Sequence, residues 1–315
     1  MIKRIFALLL CVPLLLCALG CGKEHTGGIS DAVTFTDALG REVSVEKHPE
    51  RVAALIGSFA DVWVLAGGSI CAAAEDAWED FELELDGAVN IGGAHSPSLE
   101  KLLSAEPELV IASASTASNV QLREPLESMG ITVVYFDVDN LEDYLGMLRI
   151  CTDITGRQDL YEKNGAEIKA QVDAIIGRFS EAGIPEEERR VLVLRVSSSS
   201  VKAKGSRSTV LGEMLSSLGC INIADSDTSL LENLSAESVI RRDPYHIFVV
   251  TMGSDPDRAR ENLAQLTEEG GAWSTLDAVR EGRVHLMDRT LFNLKPNARW
   301  AVSYEKLCDI FINEK

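Results

Sequence analysis

The chain has 315 residues, with 30 Lys and Arg against 49 Asp and Glu, which gives a formal net charge of −19 at pH 7. So acidic a surface repels nucleic acid and anionic lipid headgroups, which excludes nucleic-acid binding. With 46% hydrophobic and 25% charged residues, the composition is that of a globular protein long enough for about two domains.

The long apolar run of this sequence lies at its start, in MIKRIFALLLCVPLLLCALGC. Lys3 and Arg4 precede a short apolar stretch that ends in small residues, which is the pattern of a secretory signal peptide over residues 1–20. Cys21 directly follows, and the junction resembles the cleavage site of bacterial lipoproteins, at which the cysteine is lipidated. An ordinary cleaved signal peptide is the alternative. Residues 21–33 are predicted to form a polar tether, so we expect an extracytoplasmic protein held on the bacterial cell membrane by a lipid on Cys21.

Short apolar runs alternate with helical patterns through the next part of the chain. An alternating hairpin signal comes first, followed by strand-like segments separated by helices. The segments are, in order, VTFTDALGREVSV, RVAALI, SICAAA, LVIAS and TVVYFDV. Strand and helix alternation with βαβ spacing predicts a mainly parallel sheet covered on both faces. Residues 34–150 are therefore predicted to form an N-terminal α/β lobe.

A helical segment separates this lobe from a second one. The segment DVDNLED predicts a helix start at Asn140. Residues 151–182 have helical periodicity without a strand signal and are predicted to form a long connecting helix, with two consecutive helices as the alternative. Strand and helix alternation resumes at RVLVLRV and continues through TVLGEMLSSLG and RVHLMD to a terminal helix. Residues 183–315 are the predicted C-terminal lobe, so the fold class is α/β with two Rossmann-like lobes joined by a long helix.

A similar sequence pattern occurs once in each half of the chain. The segment SLEKLLSAEPELVIA returns 137 residues later as SAESVIRRDPYHIFV. Ser98 and Ser235 are predicted helix N-caps, which places Glu100 and Glu237 in the first helical turn, where the helix dipole favours an anion. Simple helix-start electrostatics is one explanation of these two acids. A paired role, with one solvent-facing acid on each lobe, is the other.

The chain resembles the helical-backbone (class III) substrate-binding lipoproteins of ABC importers for ferric siderophores, haem and cobalamin. The resemblance spans about residues 33–312. The segments that carry it are TDALGREV, GGAHSPSLEKLLSAEPELVIAS, LESMGITVVYFDVDNLEDYL, LSAESVIRRDPYHIFVV and AWSTLDAVREGRVHLMDRTLF. It implies a monomer with a ligand cleft between its lobes, no cofactor besides the bound ligand, and docking on an ABC permease dimer. Glu100 and Glu237 match the family positions that meet arginines of the two permease subunits.

Ligand contacts are expected in the loops beyond the carboxyl ends of the strands, because open α/β sheets bind ligands there. Two stretches of this acidic chain, residues 195–212 and 289–300, hold cations and no acid. Together they predict a positive cleft for a carboxylate- or catecholate-bearing iron chelate or for haem propionates. Solvated cations that pair with surface acids are the alternative. The predicted ligand-binding residues are Ser58, Phe59, His95, Lys202, Lys204, Arg207, Met252, Phe292 and Arg299.

A small iron chelate, namely a ferric siderophore, is therefore the predicted ligand, with haem or cobalamin as the alternative. The five histidines are scattered without metal-ligand spacing, so no metal bound by the protein itself is expected. A secreted α/β hydrolase-like enzyme is a third alternative. It is disfavoured because the sequence has no GxSxG elbow, no dinucleotide-binding glycine set and no P-loop, so an enzyme is not expected.

Overall fold

A computed structural model describes residues 31–253 and 255–313. The predicted signal peptide, Cys21 and most of the predicted tether lie outside these residues. From Ala32 onward the chain forms one compact unit, which opens with an antiparallel hairpin of β1 (Ala32–Thr36) and β2 (Glu42–Glu46). In the described part of the chain, no helix combines the length and the apolar character needed to cross a membrane.

The N-terminal lobe is built on a five-stranded parallel sheet of order β5-β4-β3-β6-β7. Its strands are β3 (Val52–Ala54), β4 (Ala72–Ala73), β5 (Val89–Asn90), β6 (Leu109–Ser113) and β7 (Thr132–Phe136). Its helices are α1 (Gly57–Leu65), α2 (Asp76–Glu79), α3 (Leu99–Ser104), α4 (Ala117–Gln121) and α5 (Arg123–Ser128). The predicted parallel sheet of this lobe is confirmed.

More than one helix joins the lobes. The first, α6 (Leu141–Thr155), starts at a capping box between Asn140 and Asp143, which confirms the predicted start. It ends at Gly156, whose φ of +70° no continuing helix can adopt. The helices α7 (Gln158–Tyr161) and α8 (Glu167–Glu181) follow, with a π-helical turn (Glu162–Ala166) between them. The single connecting helix over residues 151–182 is thus corrected to consecutive helices, and its first residues belong to α6.

The C-terminal lobe has a parallel sheet of order β10-β8-β11-β12, and β9 adds to β8 in antiparallel orientation. Its strands are β8 (Arg190–Val196), β9 (Val201–Lys204), β10 (Ile221–Asn222), β11 (His246–Thr251) and β12 (Val284–Met287). Its helices are α9 (Val210–Ser217), α10 (Thr228–Glu232), α11 (Ala236–Arg242), α12 (Pro256–Thr267), α13 (Asp277–Arg280), α14 (Arg289–Phe292) and α15 (Trp300–Ile312). The two-lobed α/β class is confirmed.

Side chains alternate between two buried faces in both sheets. In β8, Val191 and Val193 enter a central core, whereas Leu192 and Leu194 enter a separate core of the C-terminal lobe. The same alternation occurs in β3, β6, β7 and β11. The central core is continuous, since it contains inner-face residues of both sheets together with residues of α8 and α15. The two lobes therefore share one core.

The sequence repeat corresponds to a structural repeat. The Oγ atoms of Ser98 and Ser235 each accept the backbone N–H three residues further on, both at 3.3 Å, so both predicted N-caps are confirmed. The chain then turns through Glu106 and Asp243, which have left-handed φ angles of +46° and +43°. Each turn leads to a proline and then to a central strand, β6 or β11. Equivalent residues thus start, end and follow the helix in each lobe.

Gly57 starts α1 where that helix contacts α2. Its N–H donates to Asp76 Oδ2 at 2.9 Å, and a Cβ on Gly57 would lie 2.5 Å from the backbone nitrogen of Ala77. We expect Gly57→Ala to lower the free energy of unfolding by about 1–3 kcal/mol, because backbone must move to admit the methyl group. Urea unfolding measures this change.

Gly146→Ala in α6 is the matched control, because nothing lies within 4 Å of a Cβ at that position. It should raise the free energy of unfolding by about 0.5–1 kcal/mol, as an alanine does in place of a helical glycine. A Gly57→Ala protein as stable as the wild type would contradict the proposed close approach of α1 and α2.

Candidate functional site

The carboxyl edges of the two sheets meet through polar contacts between the lobes. Arg289 Nη1, just after β12, donates to Asp80 Oδ1, just after α2, at 3.0 Å. Lys295 Nζ lies 4.0 Å from Asp139 Oδ1, in the loop that follows β7. These residues all lie beyond the carboxyl ends of strands, which is where open α/β sheets bind ligands. The candidate site is therefore the space at this meeting of the lobes.

Asn297 is the buried centre of the contact between the lobes. Its side chain is 0% exposed, and its Nδ2 donates to the Ser58 carbonyl oxygen and to Asp61 Oδ2, both at 2.8 Å. Burial raises the pKa of Asp61, while the hydrogen bond from Asn297 and the charge of Arg299 lower it. Ser58 and Arg299, both predicted site residues, thus lie at the lobe contact, Ser58 buried and Arg299 exposed.

The basic stretch 289–300 is largely occupied by this contact. Burial raises the pKa values of Asp80 and Asp139, and the charges of Arg289 and Lys295 oppose that shift. Burial also lowers the pKa of Lys295, with Asp139 acting in the other direction. Arg289 and Lys295 therefore pair with acids, as the alternative interpretation of the sequence held, but the acids belong to the opposite lobe.

The basic stretch 195–212 behaves differently. In the strand register, Arg195 of β8 lies opposite Lys202 of β9, and Val193 lies opposite Lys204. The three cations therefore share one face of the hairpin. Burial, followed by the charges of Arg195 and Lys202, lowers the pKa of Lys204. Arg207 is exposed in the turn after β9. Among the described residues, none of these four cations forms an ion pair with an acid.

The remaining predicted ligand residues divide between exposed loops and the core. His95 is exposed in the loop after β5, and Met252, which follows β11, is 38% exposed. Phe59 and Phe292 are each 1% exposed, and Phe59 packs edge to face on Phe136 with 6.2 Å between ring centroids. The two phenylalanines are corrected to core residues, because a ring buried in this way offers no surface to a ligand.

The repeated acids lie at the starts of equivalent helices. Glu100 and Glu237 are in the first turns of α3 and α11, and both are exposed. The Glu237 side chain is 89% exposed, and Arg241 Nη1 lies 4.0 Å from its Oε1. So exposed a pair contributes little to stability. Its exposure also leaves the carboxylate of Glu237 accessible to a partner.

Within the described residues, no group of three or more His, Cys, Asp or Glu side chains is placed to hold a metal ion. Two histidines lie close together, with His246 Nδ1 and His285 Nε2 2.9 Å apart across β11 and β12. Burial, with the charges of His285 and Arg283, lowers the pKa of His246 to about 3, so the ring is neutral at neutral pH. This pair is packed among aromatic rings of the core, on Phe248 and Phe311.

Sequence reasoning missed several residues that build the site. Asp61, Asp80, Asp139 and Asn297 were not singled out, since each contacts a residue far away in the chain. The local signal at Asn297 is the Pro296–Asn297 pair, because asparagine tolerates a left-handed turn conformation, and the structure gives this residue a φ of +51°. Arg195 is the first residue of the basic stretch 195–212, and its position in that stretch does not distinguish it from the other cations.

The sequence matches the family model described as "Periplasmic binding protein" over residues 52–291. The iron(3+)-hydroxamate-binding protein FhuD of Bacillus subtilis is 26% identical over 299 residues, which cover 90% of this chain and 88% of that protein. The uncharacterized ABC transporter substrate-binding lipoprotein YvrC of the same bacterium is 23% identical, over 82% of this chain and 79% of that protein.

A solved structure, that of Staphylococcus aureus SirA complexed with staphyloferrin B, has a TM-score of 0.65 at 21% identity. The match covers 88% of this chain and 96% of that chain, and shows a common fold. The family model runs from β3 into α14 and so includes strands of both lobes. On this evidence the chain belongs to the periplasmic binding protein family, whose fold is that of solute-binding proteins rather than enzymes.

Proposed function

We propose that this protein captures a ferric siderophore outside the cytoplasm and delivers it, as a monomer, to the permease of an ABC importer. The observation that carries the proposal is the group of cations on the β8–β9 hairpin that form no ion pair with an acid among residues 31–253 and 255–313. They lie at the carboxyl edge of the sheet, where open α/β sheets bind ligands. Similarity to FhuD, named for binding iron(3+) hydroxamate, supports an iron chelate as the ligand. Haem and cobalamin remain the alternatives.

The proposal includes a membrane anchor at Cys21. Removal of residues 1–20 would leave this cysteine at the N-terminus, where a lipid would attach. The predicted tether over residues 21–33 is shortened to residues 21–31, because Ala32 and Val33 belong to β1, and the shortened tether would hold the lobes clear of the membrane surface. The similarity to YvrC, which is named as a lipoprotein, supports this arrangement. Glu100 and Glu237 would then meet the two permease subunits.

The ligand is tested by titrating the chain without its anchor, from Gly22 onward, with ferric siderophores, haem and cobalamin while tryptophan emission is followed. Trp78 is half-buried in α2, two residues before Asp80 of the lobe contact, so its emission should respond to ligand in the cleft. Saturable binding of a ferric siderophore, tighter than that of haem and cobalamin, is expected. Chemical conversion of any ligand during the titration would favour an enzyme instead.

Docking on the permease is tested with the double variant Glu100→Ala, Glu237→Ala. We expect ligand affinity to be unchanged and uptake at limiting ligand to fall about fivefold or more, since each exposed ion pair contributes up to about 1 kcal/mol and also steers the encounter. The measurements are ligand titration and uptake of labelled chelate into proteoliposomes that contain the cognate importer.

The matched control for docking is the double variant Glu124→Ala, Asp257→Ala. It also removes one exposed first-turn acid from each lobe, at the starts of α5 and α12. Its uptake should equal that of the wild type. Loss of ligand affinity in the Glu100 and Glu237 variant, or equal uptake by both double variants, would contradict the docking assignment.

The double variant Lys204→Ala, Arg207→Ala tests the basic hairpin as a ligand contact. We expect it to weaken an anionic ferric chelate about 10-fold, because a hydrogen bond to a charged group is worth about 1.5–3 kcal/mol. The double variant Arg260→Ala, Arg280→Ala is the control, since it removes two exposed cations of the same lobe, each of which pairs with an acid of its own helix. Identical titration curves for the first variant and the wild type would remove Lys204 and Arg207 from the site.

A further inference from the structure

The inner face of β8 changes from apolar to cationic at its carboxyl end. Val191 and Val193 enter the core that the lobes share, and Arg195 is the next side chain on that face. Lys202 is directly opposite Arg195 on β9, where paired residues have Cβ atoms about 4.5–5.5 Å apart. The other face of the hairpin is buried in the core of the C-terminal lobe. The side chains of the three cations therefore start from the face that continues the shared core.

Arg195 has a buried donor without a partner. Its Nε is buried, and no hydrogen-bond acceptor lies within reach among the described residues. Asp139 of the opposite lobe is the acid whose charge acts on Arg195, but that carboxylate lies 4.0 Å from Lys295 and is engaged there. A buried charged donor is normally satisfied, so an unused guanidinium nitrogen at a cleft is a place for a ligand atom.

Arg195, Lys202 and Lys204, here called the cation row, also repel one another. Like charges opposite each other on a sheet are destabilising, and burial together with the other two cations lowers the pKa of Lys204. None of the three forms an ion pair with an acid in the described part of the chain, although Arg289 and Lys295 nearby do. A chain with 49 Asp and Glu does not lack acids to pair with the row.

We infer that the cation row binds the charged groups of the ligand, that Arg195 is its central contact, and that the ligand is a multiply anionic ferric chelate. This inference rests on the proposed function and narrows its ligand class. A guanidinium holds carboxylate or catecholate oxygens in a bidentate fork, while the two lysines act as point charges. A ferric tris-hydroxamate has no net charge and would leave the repulsion within the row in place.

The test compares three probes, the ferric complexes of a tris-catecholate, of citrate and of a neutral tris-hydroxamate. The wild-type protein should bind at least one anionic complex more tightly than the neutral one, with an affinity that falls as salt is added. The tighter of the two anionic complexes identifies catecholate or carboxylate as the recognised group.

Arg195→Gln should weaken the anionic complex about 10-fold or more, and Arg195→Lys should keep part of the affinity. Arg260→Gln is the matched control, because Arg260 is a 56% exposed arginine of the same lobe that pairs with Asp257. Its affinity for the anionic complex should equal that of the wild type.

A second measurement separates ligand binding from a structural role. Without ligand, Lys204→Gln should raise the urea midpoint of unfolding. The substitution removes a charge that burial and the neighbouring charges of Arg195 and Lys202 all disfavour. A structural cation would lower that midpoint when replaced. A lowered midpoint, or an unchanged affinity of Arg195→Gln for the anionic complex, would overturn the inference.

The outcomes also distinguish the inference from the proposed function. Tight binding of the neutral tris-hydroxamate with weak binding of both anionic complexes would overturn the inference alone. Failure of every iron chelate to bind would overturn the proposed function, and the inference with it.

Discussion

One apolar core shared by both lobes determines where the other parts of this protein lie. Inner-face side chains of the two sheets pack together with α8 and α15, and the rings of Phe179 and Phe311 meet edge to face at 5.3 Å. Because protein interiors are close-packed, one lobe cannot move far over the other without losing many of these contacts. The carboxyl edges of the sheets are thereby held opposite each other, so loops distant in the chain form one site.

The polar contacts at the edge of this core have a different role. Arg289 with Asp80, and Lys295 with Asp139, are partly buried ion pairs, and such pairs add little net stability because desolvation offsets their attraction. They favour one arrangement of the lobes over others, since a shifted lobe would leave a buried charge unpaired. A shared core with weak polar contacts at its edge permits small adjustments around a ligand and opposes wide opening.

The two lobes and the repeat could be predicted because local signals carry them. Strand alternation, the N-cap serines and the Asn140 helix start all depend on residues within a few positions. Asn297 contacts Asp61 across 236 residues, and nothing local indicates that partner. The burial of Phe59 and Phe292 could not be predicted either, because a position after a strand does not reveal which way a ring points. Strand β9 was missed because it follows a run of serines and carries two lysines, which favours a loop.

If a molecule with a net charge of −19 binds an anion, as proposed, its acidic exterior and its cationic site must act on that ligand over different distances. Salt screens exposed charges over about 8 Å at physiological ionic strength, so most of the acidic surface acts weakly on a ligand already in the cleft. The cation row is partly withdrawn from solvent, where charges interact more strongly and are screened less. The acidic exterior would then slow the approach of an anionic chelate at low salt, whereas the row would govern its dissociation. The same exterior suits a cationic docking partner, so in the proposed function the protein presents opposite charges to its ligand and to its permease.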